Sequence, residues 1–375
     1  MHSQRVLIIG GGIGGMAAAI SLRKRGFEVD LVELDPHWQV AGAGITISGP
    51  TLRAFATLGI IDEVLREGFC ADGVNICDAN GKLLTELPTP HLAGDTVPGG
   101  GGILRPVLAR ILSQATLASG TQVRLGTTFS EITQDEDGVD VVFSDGSRGR
   151  YDLLIGADGL NSRVRQAQFP DAAKPEFTGQ GCWRALVPRP AAIDRPHIFM
   201  GPRVKAGVNP VSQDEMYLFF TLHMPGNPFI EPQDWPQRLA QELAGFGGTI
   251  SAIRDGLDAD SRILYRPLEK LLLTTPWHRG RVVLLGDAAH ATTPHLASGA
   301  GAAVEDALVL AEELARAGSH EAAFKVYMER RLPRARMIVE NSVALGELER
   351  TADAESKQQF SQLMRASQAA LAAPI

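Results

Sequence analysis

Residues 5–33 read RVLIIGGGIGGMAAAISLRKRGFEVDLVE. The five residues Arg5 to Ile9 are a short apolar run of strand type. A glycine-rich turn follows, then a segment with helical period that stops at Gly26, then a second apolar strand ending at Glu33. This is a βαβ unit of about thirty residues with Gly10-x-Gly12-x-x-Gly15 between the first strand and the helix. The first glycine makes the tight turn, the second lets a pyrophosphate approach the backbone, and the third lets helix and strand pack closely. Gly14 lies in the same turn. The helix N-terminus faces the phosphates, and Glu33 stands where a carboxylate accepts hydrogen bonds from ribose hydroxyls. The unit reads as a dinucleotide site, without separating NAD from FAD.

The same grammar recurs twice. In DLLIGADGLNSRVR, residues 152–165, an apolar strand enters a turn carrying Asp158 between Ala157 and Gly159. Asn161 or Ser162 is placed to cap the next helix, which leaves the acid itself without a local reason. In VVLLGDAAHATTPHLASGAG, residues 282–301, a buried strand from Val282 to Leu285 ends at Gly286 and Asp287. There one carboxylate is placed for a ribityl or ribose hydroxyl. Pro294 and the small residues through Gly299 and Ala300 let backbone approach a flat ring, and a helix starting near Gly301 aims its N–H groups at it.

Together, in this order and separation, the three motifs resemble those of the single-component FAD-dependent aromatic hydroxylases, the para-hydroxybenzoate hydroxylase group. The resemblance runs from about residue 4 to 345. It implies an α/β fold: a discontinuous Rossmann-like FAD-binding domain with an inserted β-sheet substrate domain and C-terminal helices. It implies that Asp287 binds the ribityl chain, that the Asp158 segment contacts FAD and the nicotinamide cofactor, and that Arg105, before a helix, contacts the flavin side chain. Relatives often carry an arginine shortly before the GAG turn; here Gln39 and Val40 stand in that region. The implied chemistry is reduction of the flavin by NADH or NADPH, addition of dioxygen to give a flavin hydroperoxide, and attack of a small aromatic or heteroaromatic ring on its distal oxygen. The cofactor carries the hard step; the protein orients the ring and excludes water.

On the substrate side, His295 follows Pro294 directly, and hydroxylases of pyridine carboxylates resemble this sequence in having a histidine there. A neutral imidazole accepts a phenol proton near pH 7. Arg203 sits in GPRVKAGVNPV, similar to the context of an arginine in a urate hydroxylase, and suits a carboxylate or polarised carbonyl. Tyr217, in MYLFF, either faces the pocket or packs in a sheet. Thr46 lies in GAGITIS near the expected flavin edge, and His290 reads as structural. Arg203, Tyr217 and His295 are thus the catalytic candidates, and with Thr46 they line the substrate site. Two rivals stand beside this reading: the same fold acting on a larger polycyclic substrate of the tetracycline-inactivating type, and a flavin-binding protein without turnover. The halogenase WxWxIP signature is absent.

Element patterning assigns residues 1–70, 100–175 and 278–345 to the FAD-binding domain, 71–99 and 176–277 to the β-rich domain, and 346–375 to a helix and loose tail. Residues 50–67 read as helix, as do 105–118 and 234–256. The net charge of −7 and the lack of a basic run argue against a nucleic-acid partner. Cys70, Cys77 and Cys182 show no CxxC spacing, which fits a reducing compartment and no structural metal. No stretch of about 18 apolar residues exists, and glycines interrupt the early apolar run, so a cytoplasmic protein without a signal peptide or membrane span is expected.

Overall fold

The structure, a computed structural model, describes residues 4–39, 42–201, 204–351 and 353–375. Its first sheet has six strands in the order His278–Arg279, Val282–Leu284, Leu153–Gly156, Arg5–Ile9, Glu28–Glu33 and Gln122–Leu125. All pairings are parallel except that of the short edge strand His278–Arg279. The central strands are apolar throughout, as burial on both faces demands.

The register brings together what the sequence holds far apart. Ile9 pairs with Gly156, and Gly156 pairs with Leu284. The three glycine-bearing turns therefore leave the carboxyl ends of three adjacent parallel strands. From Arg5–Ile9 the chain winds outward to one side, and the later strands fill the other. That reversal of strand order is where an α/β sheet leaves a ligand crevice.

The helix Ile13–Arg23 covers this sheet and packs against the helix Gly299–Arg316. The second large sheet has seven strands, ordered Arg262–Lys270, Glu176–Pro188, Glu215–His223, Lys205–Pro210, His197–Met200, Val74–Asp78 and Leu83–Leu87. Directly paired residues share a face. One face, with Met216, Leu218 and Phe220, is closed by the helices Trp235–Glu242 and Gly248–Asp255 into a core of its own. The other carries Tyr217 and turns toward the small sheet Gly44–Ser48, Gly100–Leu104 and Phe69–Ala71, where Tyr217 packs with Ala43 and Val211.

Four local expectations are corrected. The helix read over 234–256 is two, Trp235–Glu242 and Gly248–Asp255, parted by the turn through Gly247. The segment 50–67 forms two helices, Gly49–Leu58 and Ile61–Glu67, because Gly59 takes a left-handed conformation between them. The helix expected near Gly301 begins at Gly299. The tail is ordered: Ala354–Ala372 is a helix packed on His320–Thr351, which itself runs past residue 345 without a break. Arg53 donates to the carbonyls of Ala372 and Ala373, and Arg334 to those of Ala370 and Leu371. Non-local hydrogen bonds thus fix a segment whose own sequence is indifferent. Among the described residues no helix is long and apolar enough to cross a membrane.

Candidate functional site

At the first turn, a Cβ on Gly15 would lie 1.9 Å from the Gly10 carbonyl oxygen, and one on Gly10 would lie 2.5 Å from that of Ala157. Neither position admits a side chain. A Cβ on Gly14 would meet the Leu285 side chain, whereas one on Gly12 would meet nothing within 4 Å. Gly12 is the N-cap of Ile13–Arg23, a helix with no side-chain cap and no acid in its first turn. Its N–H groups and partial positive charge therefore suit a phosphate. The Glu33 carboxylate accepts the Gly11 N–H at 2.6 Å and the Asp35 N–H at 2.8 Å, which orients it and leaves lone pairs for hydroxyl donors.

At the second turn, Asp158 is occupied from within. It accepts from the Ser162 hydroxyl at 2.5 Å, the Arg163 N–H at 2.7 Å and the Val164 N–H at 3.1 Å. Ser162 in turn caps the helix Arg163–Gln168 by accepting the Arg165 N–H. The buried Arg165 donates to the carbonyls of Ala288 and Leu160, tying the second turn to the third.

At the third turn, Asp287 is exposed on one side and enclosed by protein on the others. Enclosure raises its pKa, against the pull of His290 and Arg105. Among the described residues its carboxylate has neither a hydrogen bond nor an ion pair. Gly286, just before it, is held by the Asp306 carboxylate, which also accepts from His290 Nε2 at 2.5 Å and Arg331 Nε at 2.7 Å. His290 is therefore part of a buried ionic network. Pro294 opens a short turn to Leu296, and Gly299 and Ala300 begin a helix whose N-terminus again has no capping side chain.

Arg105 lies between the two sheets, its side chain against Gly42. Its Nε is buried without a partner. Burial lowers its pKa, the nearby Arg184 lowers it further, and Tyr217 and Asp287 act in the opposite sense. An orphaned guanidinium nitrogen, the open cradle at Gly12, two uncapped helix N-termini and a partnerless Asp287 form one anion-and-hydroxyl-binding line along three strand ends. The donors and acceptors of an FAD chain fit it.

On the face of the seven-stranded sheet that carries Tyr217, the Tyr217 hydroxyl shares a hydrogen bond with Thr46 Oγ1, which also accepts from Asn209 Nδ2 at 3.1 Å. Burial raises the Tyr217 pKa, so the phenol stays protonated. Arg184 stands on the same face: Leu186 pairs with Tyr217 and Arg184 with Phe219. The His295 side chain is only 2% exposed; its Nδ1 meets Thr293 Oγ1 at 2.9 Å, and its Nε2 lies 3.9 Å from Glu349, the ion-pair partner of Lys205. Burial pushes its pKa down to about 4. Arg203 and Val40 lie outside the described residues. The structure thus groups Thr46 with Tyr217 and sets His295 in a separate enclosure. Arg184, Asn209, Asp306, Glu349 and Lys205 escaped the sequence reading. The groups beside them come from other strands and helices, and only the alternation of WRALVP hinted at Arg184.

The family described as FAD binding domain matches residues 3–342. YetM of Bacillus subtilis (strain 168) is 34% identical over 334 residues, covering 88% of this chain and 90% of its own. The 6-hydroxynicotinate 3-monooxygenase of Bordetella bronchiseptica is 31% identical over 346 residues, covering 88% of each chain. Among solved structures, Klebsiella pneumoniae HpxO complexed with FAD and uric acid is similar with a TM-score of 0.87 at 26% identity, covering 99% of this chain and 97% of that one.

Proposed function

This chain belongs to the FAD binding domain family, and on that premise we propose that it hydroxylates a small aromatic or heteroaromatic ring held as an oxyanion by Arg184. It is an FAD-dependent monooxygenase. FAD, when bound, supplies hydride acceptance from NADH or NADPH and activation of dioxygen. The chain's own residues bind, orient and keep water out.

The observation that carries the substrate reading is Arg184. It is half-buried on the sheet face beside Arg105 and Tyr217, with no hydrogen bond or ion pair among the described residues. A guanidinium so placed is costly unless an anion completes it. Arg105, nearer Asp287, serves the cofactor, which leaves Arg184 for the substrate. A ring bearing an ionised phenol, enol or lactam oxygen meets that demand, and ionisation also makes the ring electron-rich for electrophilic oxygen transfer. Named ring compounds of relatives, hydroxynicotinate and uric acid, carry such oxygens. The neutral Tyr217 hydroxyl and Phe219 complete a wall with one polar point, the usual make-up of a ring pocket. The enclosure of His295 supports a role in holding the Pro294 loop through Thr293 rather than direct contact with the ring.

The test is NAD(P)H oxidation by the FAD-loaded protein against phenols, benzoates and pyridine carboxylates, with products weighed by mass spectrometry. A ring compound that speeds oxidation and gains one oxygen is expected. Its KM should rise about 10- to 100-fold in Arg184→Ala, the worth of a charge-assisted hydrogen bond, and recover in part in Arg184→Lys. An unchanged KM in both variants would remove Arg184 from the site.

A further inference from the structure

We propose that Trp38 is a cofactor-contact residue whose indole walls the adenosine end of the FAD site, beside Glu33. The proposal rests on Glu33 holding the ribose. Trp38 lies five residues beyond Glu33, in a turn that the Asp35 carboxylate builds by accepting the N–H groups of His37 and Gln39, both at 2.9 Å. The turn throws Trp38 into the left-handed region, with φ of 50°, where a bulky aromatic residue is rarely found. That conformation brings the indole back over the glycine-rich turn. Its Nε1–H donates to the Gly11 carbonyl at 2.8 Å.

Gly11 is thereby gripped from both sides. Its N–H goes to Glu33 and its carbonyl takes the indole. A Cβ on Gly11 would lie 2.5 Å from the indole nitrogen and 3.2 Å from the Glu33 carboxylate. Indole, carboxylate and glycine turn therefore share one small volume. Trp38 packs against the main core but stays partly exposed, so its ring presents an apolar face next to the group that takes the ribose. A flat apolar surface beside a ribose-binding acid suits a purine: bases stack on aromatic rings, and the gain does not depend on charge. This segment has no arginine or lysine to offer, since the residues beside Trp38 are His37 and Gln39. Stacking and the pinned turn take the place of an ionic grip.

The test uses the apoprotein with ADP and FAD as separate probes, comparing wild type, Trp38→Phe and Trp38→Ala by calorimetry and indole fluorescence. ADP should change wild-type emission, and that change should vanish in Trp38→Phe, which leaves the other three tryptophans in place. Trp38→Ala should weaken ADP and FAD by the same factor, about tenfold, as for loss of a stacked base, with Trp38→Phe between. Glu33→Gln measured alongside reports on the ribose contact separately. Wild-type affinity for ADP and FAD in Trp38→Ala would overturn the proposal even where Glu33→Gln binds weakly. Loss of FAD affinity with ADP affinity intact would overturn it as well, because the indole would then act elsewhere along the cofactor.

Discussion

Two turns on adjacent strands look alike in sequence and differ in what they do with their acids. After Leu153–Gly156, Asp158 accepts three hydrogen bonds from its own loop and helix. After Val282–Leu284, Asp287 accepts none among the described residues. The scaffold role there has passed to Asp306 on the following helix, which holds the Gly286 N–H, His290 and Arg331. The second region employs two carboxylates where the first employs one. A partnered carboxylate fixes a turn. A carboxylate raised in pKa by its enclosure and left without a donor is poised for hydroxyl groups of a ligand, at a cost to the protein alone.

The largest effect should come from breaking the scaffold. Asp306→Asn leaves His290 buried without its carboxylate partner and Arg331 with Glu305 alone, and removal of one partner from such a cluster costs about 3–5 kcal/mol. Urea unfolding reads this directly, and a loss below about 1 kcal/mol would dissolve the division of labour between Asp306 and Asp287. Acid titration of stability sharpens the same point. Burial pushes the Asp306 pKa up, but His290 and Arg331 outweigh it and hold the carboxyl down at about 2, against 3.8 unfolded. A depressed carboxyl stabilises the fold above its unfolded pKa and loses that contribution as pH falls from about 4 through 2, worth about 2 kcal/mol. His295 acts in a higher window: buried with a pKa of about 4 against 6.5, it stays neutral while the unfolded chain takes a proton, so stability falls between those values as pH drops. Wild type should show both limbs; Asp306→Asn should keep the upper one and show a shallower lower one, since surface carboxyls such as Asp135 are also held down.

Much of this frame was legible because it is local. The strand Arg5–Ile9, the turn through Gly15 and the stop at Gly26 follow from periodicity and steric need within thirty residues. That three such turns meet was readable only through resemblance, since the register of Gly156 against Ile9 and Leu284 is set by pairing across the chain. Asp306 hides in AAVEDALVL, an ordinary helix pattern until the sheet and Arg331 close around it. Arg184 hides likewise, because its face is decided by pairing with a strand more than thirty residues on. Asp158 hides in another way: an acid between small residues does not reveal that its carboxylate accepts from Ser162, Arg163 and Val164 of its own loop and helix.

Asp287→Asn tests whether the third turn faces the cofactor, with an effect on stability opposite in sign from that of Asp306→Asn. A carboxyl whose folded pKa is raised contributes stability at low pH and loses it as pH rises through that pKa. Removing the charge should therefore raise the melting temperature of the apoprotein at neutral pH. The same substitution should weaken FAD about tenfold, the loss of one charge-assisted hydrogen bond to a hydroxyl. Lower apoprotein stability together with unchanged FAD affinity would class Asp287 with the scaffold.

The smallest effect separates the two acids most cleanly. Asp158→Asn keeps one carbonyl oxygen and loses the charge that faces the start of Arg163–Gln168. Caps of this kind are worth about 1 kcal/mol, so unfolding should shift modestly and without dependence on ligand. Ser162 still accepts the Arg165 N–H, which limits the damage to the turn's outer bonds. The informative quantity is the ratio of the two readouts. For Asp158→Asn, stability of the apoprotein should fall while FAD affinity changes by no more than that turn's loosening passes on to it. For Asp287→Asn, affinity should fall while stability rises. Equal shifts in FAD affinity from both substitutions would mean that the Asp158 carboxylate exchanges its internal donors for the cofactor on binding, and that its cap is a resting state.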